Sequence, residues 1–273
     1  MLNARQLIED RAHVLFITLD SLRYDAAQRA FAAGMTPNLA ALLPASGWER
    51  RHTPGNFTLS AHAAFFSGFL PTPVTPGPHP RLFAGAFPGS ETTTDRTFAY
   101  EEAHLPAALQ ARGYRTLCLG GVGFFNKQTP LGRVLPDYFE TSVWDREHGV
   151  TDPESTRNQV RVALRHLRAE SPSTPFFLFL NVSAIHQPSC LYTPGAEQDS
   201  VQTQMDALAY VDGELNELLD HFQQRKKQAL VIICSDHGTA FGEDGYHGHR
   251  LSHPVVWDVP YAAFTFGTEV DEP

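Results

Sequence analysis

The chain has 273 residues, 42% of them hydrophobic and 11% aromatic, enough to bury one large core. Its 21 Lys and Arg stand against 30 Asp and Glu, a formal charge of −9 without a polybasic block; this excludes a nucleic-acid partner gripped through its phosphates and favours a small molecule. Residues 1–10 lack the apolar core of a secretory signal and no later apolar run is long enough to span a bilayer, so the expectation is a single soluble, cytoplasmic domain over residues 1–273, its oligomeric state open.

The first element is the run HVLFITL at residues 13–19, nearly continuous in apolar and β-branched residues, as in a strand covered on both faces. It ends at Asp20 in the segment LDSLRYD. Helical spacing follows over residues 37–43 and again over 60–66, inside NFTLSAHAAFFSG at 56–68. Residues 71–96 are rich in Pro, Gly and Thr and predict an extended surface loop. A helix over 105–112, stopped by Gly113, leads into a strand at 114–119. Residues 126–150 carry no interpretable pattern. A helix over 155–170 then precedes a strand at 175–181, which runs into LNVSAIHQP and His186. The last units are a helix over 201–224, a strand at 229–234 ending in CSDHG, the stretch GEDGYHGHR at 242–250, a strand at 259–266 and a polar tail. Strands alternating with helices define an α/β chain. Cys118, Cys190 and Cys234 lack metal-type spacing and read as inert thiols.

Open α/β sheets bind ligands where strands end in loops, so polar residues that terminate apolar runs are the first candidates. Asp20 closes the first strand; Asp236 and His237 close the strand at 229–234. Two carboxylates and an imidazole form a mixed oxygen and nitrogen set suited to zinc or manganese, and less to calcium. Thr58 heads a helix, where free backbone N–H groups and the dipole favour an incoming anionic ester and the alkoxide needed to attack it. A plainer role also fits, because Thr58 and Ser60 are both good helix caps. An acidic protein that binds an anionic ester needs local compensation, for which a bound cation is the usual means.

In order, the segments LDSLRYD (19–25), TPNL (36–39), TLSAHAAFFSG (58–68), SDHG (235–238) and GEDGYHGHR leading into WDVPYAAF resemble the alkaline phosphatase and sulfatase superfamily. The resemblance implies a central mixed, mostly parallel sheet sandwiched between helices. It implies Thr58 as a nucleophile that also coordinates the metal held by Asp20, Asp236 and His237. His186 resembles the histidine that contacts the ester or protonates the leaving group. Asn56, His247 and His249 are further candidates for binding substrate or a second metal, and Lys127 and Arg250 for offsetting ester charge. Sulfatases carry a Cys or Ser convertible to formylglycine, then Pro and Arg, where this chain has Thr58, Ser60 and His62, and they begin with paired aspartates where Asp20 is followed by Ser21. These departures point to the threonine-using branch, and the segment 181–186, which has His186 without the aspartate that two-metal members add, favours one ion, a second being left to His186 with His247 or His249. The expected activity is therefore metal-dependent hydrolysis or transfer of phosphate mono- or diesters through a phosphothreonine intermediate. The alternatives are a sulfuric ester hydrolase that works without formylglycine, and a catalytically silent binding protein on the same scaffold.

Overall fold

The computed structural model describes residues 2–68, 81–83, 97–99, 104–171, 173–225 and 227–267. Its main sheet contains β1 (His13–Leu19), β2 (Glu49–His52), β5 (Arg115–Leu119), β6 (Thr141–Val143), β7 (Phe176–Val182), β8 (Ala229–Cys234) and β11 (Asp258–Phe266) in the order β2-β11-β8-β1-β7-β5-β6. The pairs from β8 through β1, β7 and β5 to β6 are parallel, while β11 runs antiparallel to β8 and β2. Two short ribbons, β3 (Arg81–Phe83) with β4 (Thr97–Ala99) and β9 (Ala240–Phe241) with β10 (His247–Gly248), stand outside the main sheet. The helices are α1 (Ala4–Glu9), α2 (Tyr24–Ala32), α3 (Pro37–Ala40), α4 (Thr58–Ser67), α5 (Leu105–Gln110), α6 (Pro130–Arg133), α7 (Ser155–Ala169), α8 (Val201–Gln223) and α9 (Pro254–Trp257). This is the alkaline-phosphatase-like arrangement, a mixed, mostly parallel sheet flanked by helices.

Every residue of β1 and β7 is buried, and the period-2 alternation of a strand divides them between two cores. Leu15, Ile17 and Leu19 of β1 face Ala26 of α2, Leu164 of α7 and Leu208 and Leu215 of α8. Val14 and Phe16 face the opposite way, towards Phe66 of α4, Leu109 of α5 and the aromatic pair Phe177 and Phe179 of β7. The same parity places Thr18 and Asn181, which are register neighbours on β1 and β7, on the α4 side. Each fully buried Leu or Phe in these clusters contributes about 1.5–3 kcal/mol. None of the described helices is long and apolar enough to cross a membrane.

The five strands read from the sequence lie within a residue of their positions, the edge strand β2, exposed along its whole length, was not anticipated, and Gly113 ends its helical stretch at φ +78°. Three differences have physical causes. Helix α3 stops at Ala40 rather than Leu43 because Pro44 follows, and the residue before proline is driven out of helical geometry. Helix α2 was not anticipated: its buried face is only Ala26, Ala27 and Ala30, too small to register as an apolar stripe. The patternless 126–150 stretch contains α6 and the edge strand β6. The surface loop expected at 71–96 lies outside the described residues except for β3, and the polar tail does so except for Gly267.

Candidate active site

Asp20, one residue past β1, and Asp236 and His237, two and three residues past β8, are fully buried. They meet because β1 and β8 are adjacent and parallel, so their carboxyl ends open on the same edge. One ligand atom from each lies within 4.8 Å of the others. Ser21 joins the carboxylates: its hydroxyl donates to Asp20 Oδ1 (3.0 Å) and its backbone N–H to Asp236 Oδ1 (3.1 Å). That double donation requires φ +64° at Ser21, a left-handed conformation uncommon for a residue with a side chain. Asp236 Oδ1 also accepts from the His237 N–H (3.0 Å), and Asp20 Oδ2 accepts from Asn181 Nδ2 (3.0 Å). Gly238 is required next: a Cβ there would sit 1.9 Å from the Val255 carbonyl oxygen, and its N–H donates to Val256 (2.7 Å).

Two features leave lone pairs unspent. Asp236 Oδ2 is buried without a hydrogen-bond partner. His237 Nδ1 donates to the Gly238 carbonyl (2.9 Å), which fixes the tautomer and leaves Nε2 bare, 3.5 Å from Asp236 Oδ2 and 4.0 Å from Asp20 Oδ1. These separations are too long for strong hydrogen bonds. A cation accepting the same lone pairs removes both the unpaired oxygen and the carboxylate repulsion, and a histidine held through its other nitrogen is the usual arrangement of a metal ligand. The donor set of two carboxylates and one imidazole therefore fits a divalent ion.

Thr58 is the first residue of α4, and its Oγ1 lies 3.5 Å from His237 Nε2. Neither hydroxyl acts as the helix cap that the sequence allows: Phe57 occupies the cap position with no side-chain bond, and Ser60 Oγ donates back to the Phe57 carbonyl (2.9 Å). The Thr58 side chain is thus left to the carboxylate and imidazole cluster.

Burial opposes the charge of Asp20, but His186, His237 and the Asn181 hydrogen bond outweigh it and hold its carboxyl below the usual range. Burial and the neighbouring Asp20 carboxylate push Asp236 well up. Burial lowers His237, and lowers His249 to about 4 with the help of His237 and His186. Two adjacent buried carboxyls that disfavour each other's charge, beside the lowered imidazoles of His237 and His249, make a cation-seeking pocket.

The remaining candidates separate. His186, half-buried after β7, donates from Nδ1 to the Gln187 carbonyl (2.7 Å), leaving Nε2 free. His249 packs its ring 4.5 Å from that of His237 and 5.9 Å from that of His186, and its Nδ1 is buried without a partner. His247 is exposed and pairs with Phe241 across the β9–β10 ribbon, its ring near Gly242. Asn56 staples the histidine loop, accepting from Arg250 N–H (2.8 Å) and donating to the Leu251 carbonyl (3.4 Å). Lys127 donates to the Ser142 carbonyl (2.8 Å). Arg250 is exposed at φ +66°.

Sequence reasoning passed over Arg23 and Glu243, which hold that loop from its other end. Arg23, 3% exposed, pairs with Asp25 and with Glu243, and lies over the Phe241 ring. Glu243 also accepts from the Phe241 N–H (2.7 Å). A charged residue inside LDSLRYD was visible, but its partner lies 220 positions away.

A family model described as Sulfatase matches residues 12–261. No match is found among curated protein sequences. Among solved structures, the chain is similar to the C-terminal periplasmic domain of the phosphoethanolamine transferase EptC from Campylobacter jejuni, at TM-score 0.62 and 14% identity, covering 93% of this chain and 79% of that one. It is similar to the soluble domain of lipooligosaccharide phosphoethanolamine transferase A from Neisseria meningitidis, at TM-score 0.62 and 16% identity over 93% and 76%. A third such structure is the lipoteichoic acid synthase LtaP from Listeria monocytogenes, at TM-score 0.59 and 14% identity over 100% and 73%.

Proposed function

Because the chain belongs to the sulfatase family, we propose that it is a metal-dependent phosphoester hydrolase or transferase with Thr58 as nucleophile. The observation that carries this reading is the release of Thr58 Oγ1 from any capping duty to a place 3.5 Å from His237 Nε2, the imidazole that clusters with Asp20 and Asp236. Asp20, Asp236, His237 and Thr58 would hold one divalent ion, zinc or manganese. Such an ion supplies Lewis acidity, acidifying a coordinated hydroxyl and neutralising a nonbridging ester oxygen. Thr58 Oγ1, its proton first lost to solvent, attacks phosphorus in line, the bond to the leaving alcohol breaks, and a phosphothreonine forms. His186 acts in its doubly protonated form: the Gln187 carbonyl holds the Nδ1 hydrogen, and Nε2 gives its proton to the departing oxygen. Water or an acceptor alcohol then takes the phosphoryl group from Thr58, and the proton returns to the histidine.

Phosphorus chemistry is preferred over sulfate chemistry on a point of bond-making. Formylglycine is an aldehyde, and oxidation of the secondary alcohol of threonine yields a ketone, so Thr58 cannot become it. The two names that speak of phosphoethanolamine transfer agree with the preference. We place the reaction in the cytoplasm, a reading that the free thiols Cys118, Cys190 and Cys234 support.

Paired assays with an aryl phosphate, an aryl phosphodiester and an aryl sulfate, each with zinc or manganese, test the reading. Turnover of a phosphoester and a mass increment of one phosphoryl group on Thr58 in quenched enzyme are expected. Faster turnover of the sulfate, or a phosphorylated species elsewhere in the chain, overturns it.

A further inference from the structure

Behind Thr58 lies a hydrogen-bonded path that none of the catalytic steps uses. Asn181 Nδ2 donates both to Asp20 Oδ2 (3.0 Å) and to Thr18 Oγ1 (3.2 Å). Thr18 Oγ1 lies 3.1 Å from His62 Nε2, and His62 Nδ1 lies 2.7 Å from the Thr58 carbonyl oxygen. With a neutral His62 ring, donors and acceptors permit one assignment. The Asn181 amide is oriented by the Val122 N–H, which donates to its Oδ1 (3.0 Å), so Nδ2 spends its two hydrogens on Asp20 and Thr18. The Thr18 hydroxyl then accepts from Asn181 and has its own hydrogen for His62 Nε2. A carbonyl only accepts, so His62 Nδ1 carries the proton towards Thr58. Every bond on the path is made, with no hydrogen left over.

The surroundings keep the path dry. Thr18, His62 and Asn181 are fully buried, and the His62 ring is edged by Phe65, Phe125 and Phe179 at 5.5, 5.2 and 5.4 Å. Such a network is stiff in apolar surroundings, because breaking any one bond strands a polar atom that water cannot reach. Burial also holds His62 neutral, lowered to about 4, in keeping with a bare Nε2.

The geometry points to Thr18, His62 and Asn181 as a positioning relay that locks the backbone of the nucleophile Thr58 to the carboxylate of Asp20. The inference rests on the nucleophilic role of Thr58. The relay touches neither substrate nor ion; it sets the distance between the attacking oxygen and the carboxylate edge, where an error of about 1 Å costs about a hundredfold in rate.

Thr18 supplies the test, because Thr18→Val keeps nearly the same shape and loses the hydroxyl, whereas Thr18→Ser keeps the hydroxyl and loses a methyl group. Both variants and the unaltered chain are compared for kcat and KM on an aryl phosphodiester, for zinc affinity and for the 15N signals of His62. Thr18→Val is expected to lower kcat by about ten- to a hundredfold with KM and zinc affinity within about threefold, while Thr18→Ser stays within about threefold in kcat. A residue that only fills space gives the reverse order, and either that order or equal rates in the two variants overturns the relay. The 15N spectrum decides independently of turnover. A bare Nε2 and protonated Nδ1 in the unaltered chain, with the Nε2 signal displaced in Thr18→Val, support the relay, and a protonated Nε2 overturns it. If the unaltered chain turns over no ester, the proposed function fails while the spectrum still judges the relay.

Discussion

The two ends of β1 both bury a titratable side chain, and they are built for opposite purposes. At the amino end His13 is fully buried, accepts the Phe176 N–H at Nδ1 (3.2 Å), lies 3.4 Å from Arg225 through Nε2 and packs edge-on against Phe222. Because Nδ1 spends its lone pair on a backbone donor, Nε2 carries the ring hydrogen of the neutral imidazole, no lone pair is left over and the end is closed. At the carboxyl end Asp20 is equally buried, yet it sits beside a second carboxylate with an orphan oxygen and an imidazole with a bare nitrogen. Burial of a polar group is therefore uninformative by itself. Lone pairs that the protein gathers and leaves unspent mark the end that does chemistry.

Four perturbations test that contrast, and the largest effect falls on the proposed nucleophile. Thr58→Ala should reduce phosphoester turnover by about a thousandfold or more while zinc content and the melting transition change little, as checked by steady-state kinetics and metal analysis. Retained turnover would mean that the open end works without a covalent step.

Next comes Asp236→Asn, which removes one of two crowded carboxylates. Zinc affinity should fall by about a hundredfold or more. Without metal, the variant should be more stable than the unaltered chain by about 1–3 kcal/mol, because a buried like-charge contact has gone. Calorimetry with and without zinc reads the reversal; a variant less stable under both conditions would make the carboxyl end as structural as the amino end.

A smaller effect is expected from Glu243→Gln. It frees the histidine loop from Arg23 without touching the carboxylates, so KM should rise by about three- to tenfold with kcat within about threefold. A fall in kcat alone would place the loop in the chemistry rather than in binding.

The smallest effect belongs to the closed end. Burial, with Arg225 and Lys227 nearby, lowers His13 to about 4 from its ordinary 6.5. Between those values the unfolded chain binds the proton that the folded chain refuses, so stability is full above pH 6.5 and declines as pH falls towards 4. His13→Asn preserves an acceptor for Phe176 and cannot titrate. Its melting temperature should fall less steeply over that window, with activity unchanged at neutral pH; an equally steep fall would shift the linkage to other groups.

The sequence by itself determined the α/β class, the five apolar strands of the main sheet but not its edge strands β2 and β6, and the identities of Asp20, Thr58, Asp236 and His237 as residues ending apolar runs or opening a helix. Those signals are local, because a strand's apolar content and the polar residue that stops it lie within one short segment. Only the tertiary structure decided which polar atoms end up facing one another. It withdrew Thr58 from capping, brought His249 and not His247 beside His237, tied Lys127 to a backbone carbonyl and joined Arg23 to Glu243. It also made neighbours at 3.1 Å of Thr18 and His62, which stand 44 residues apart. Hydrogen-bond partners across a parallel sheet are fixed by register and by which face each residue takes, and register is set only when strands distant in the chain pair.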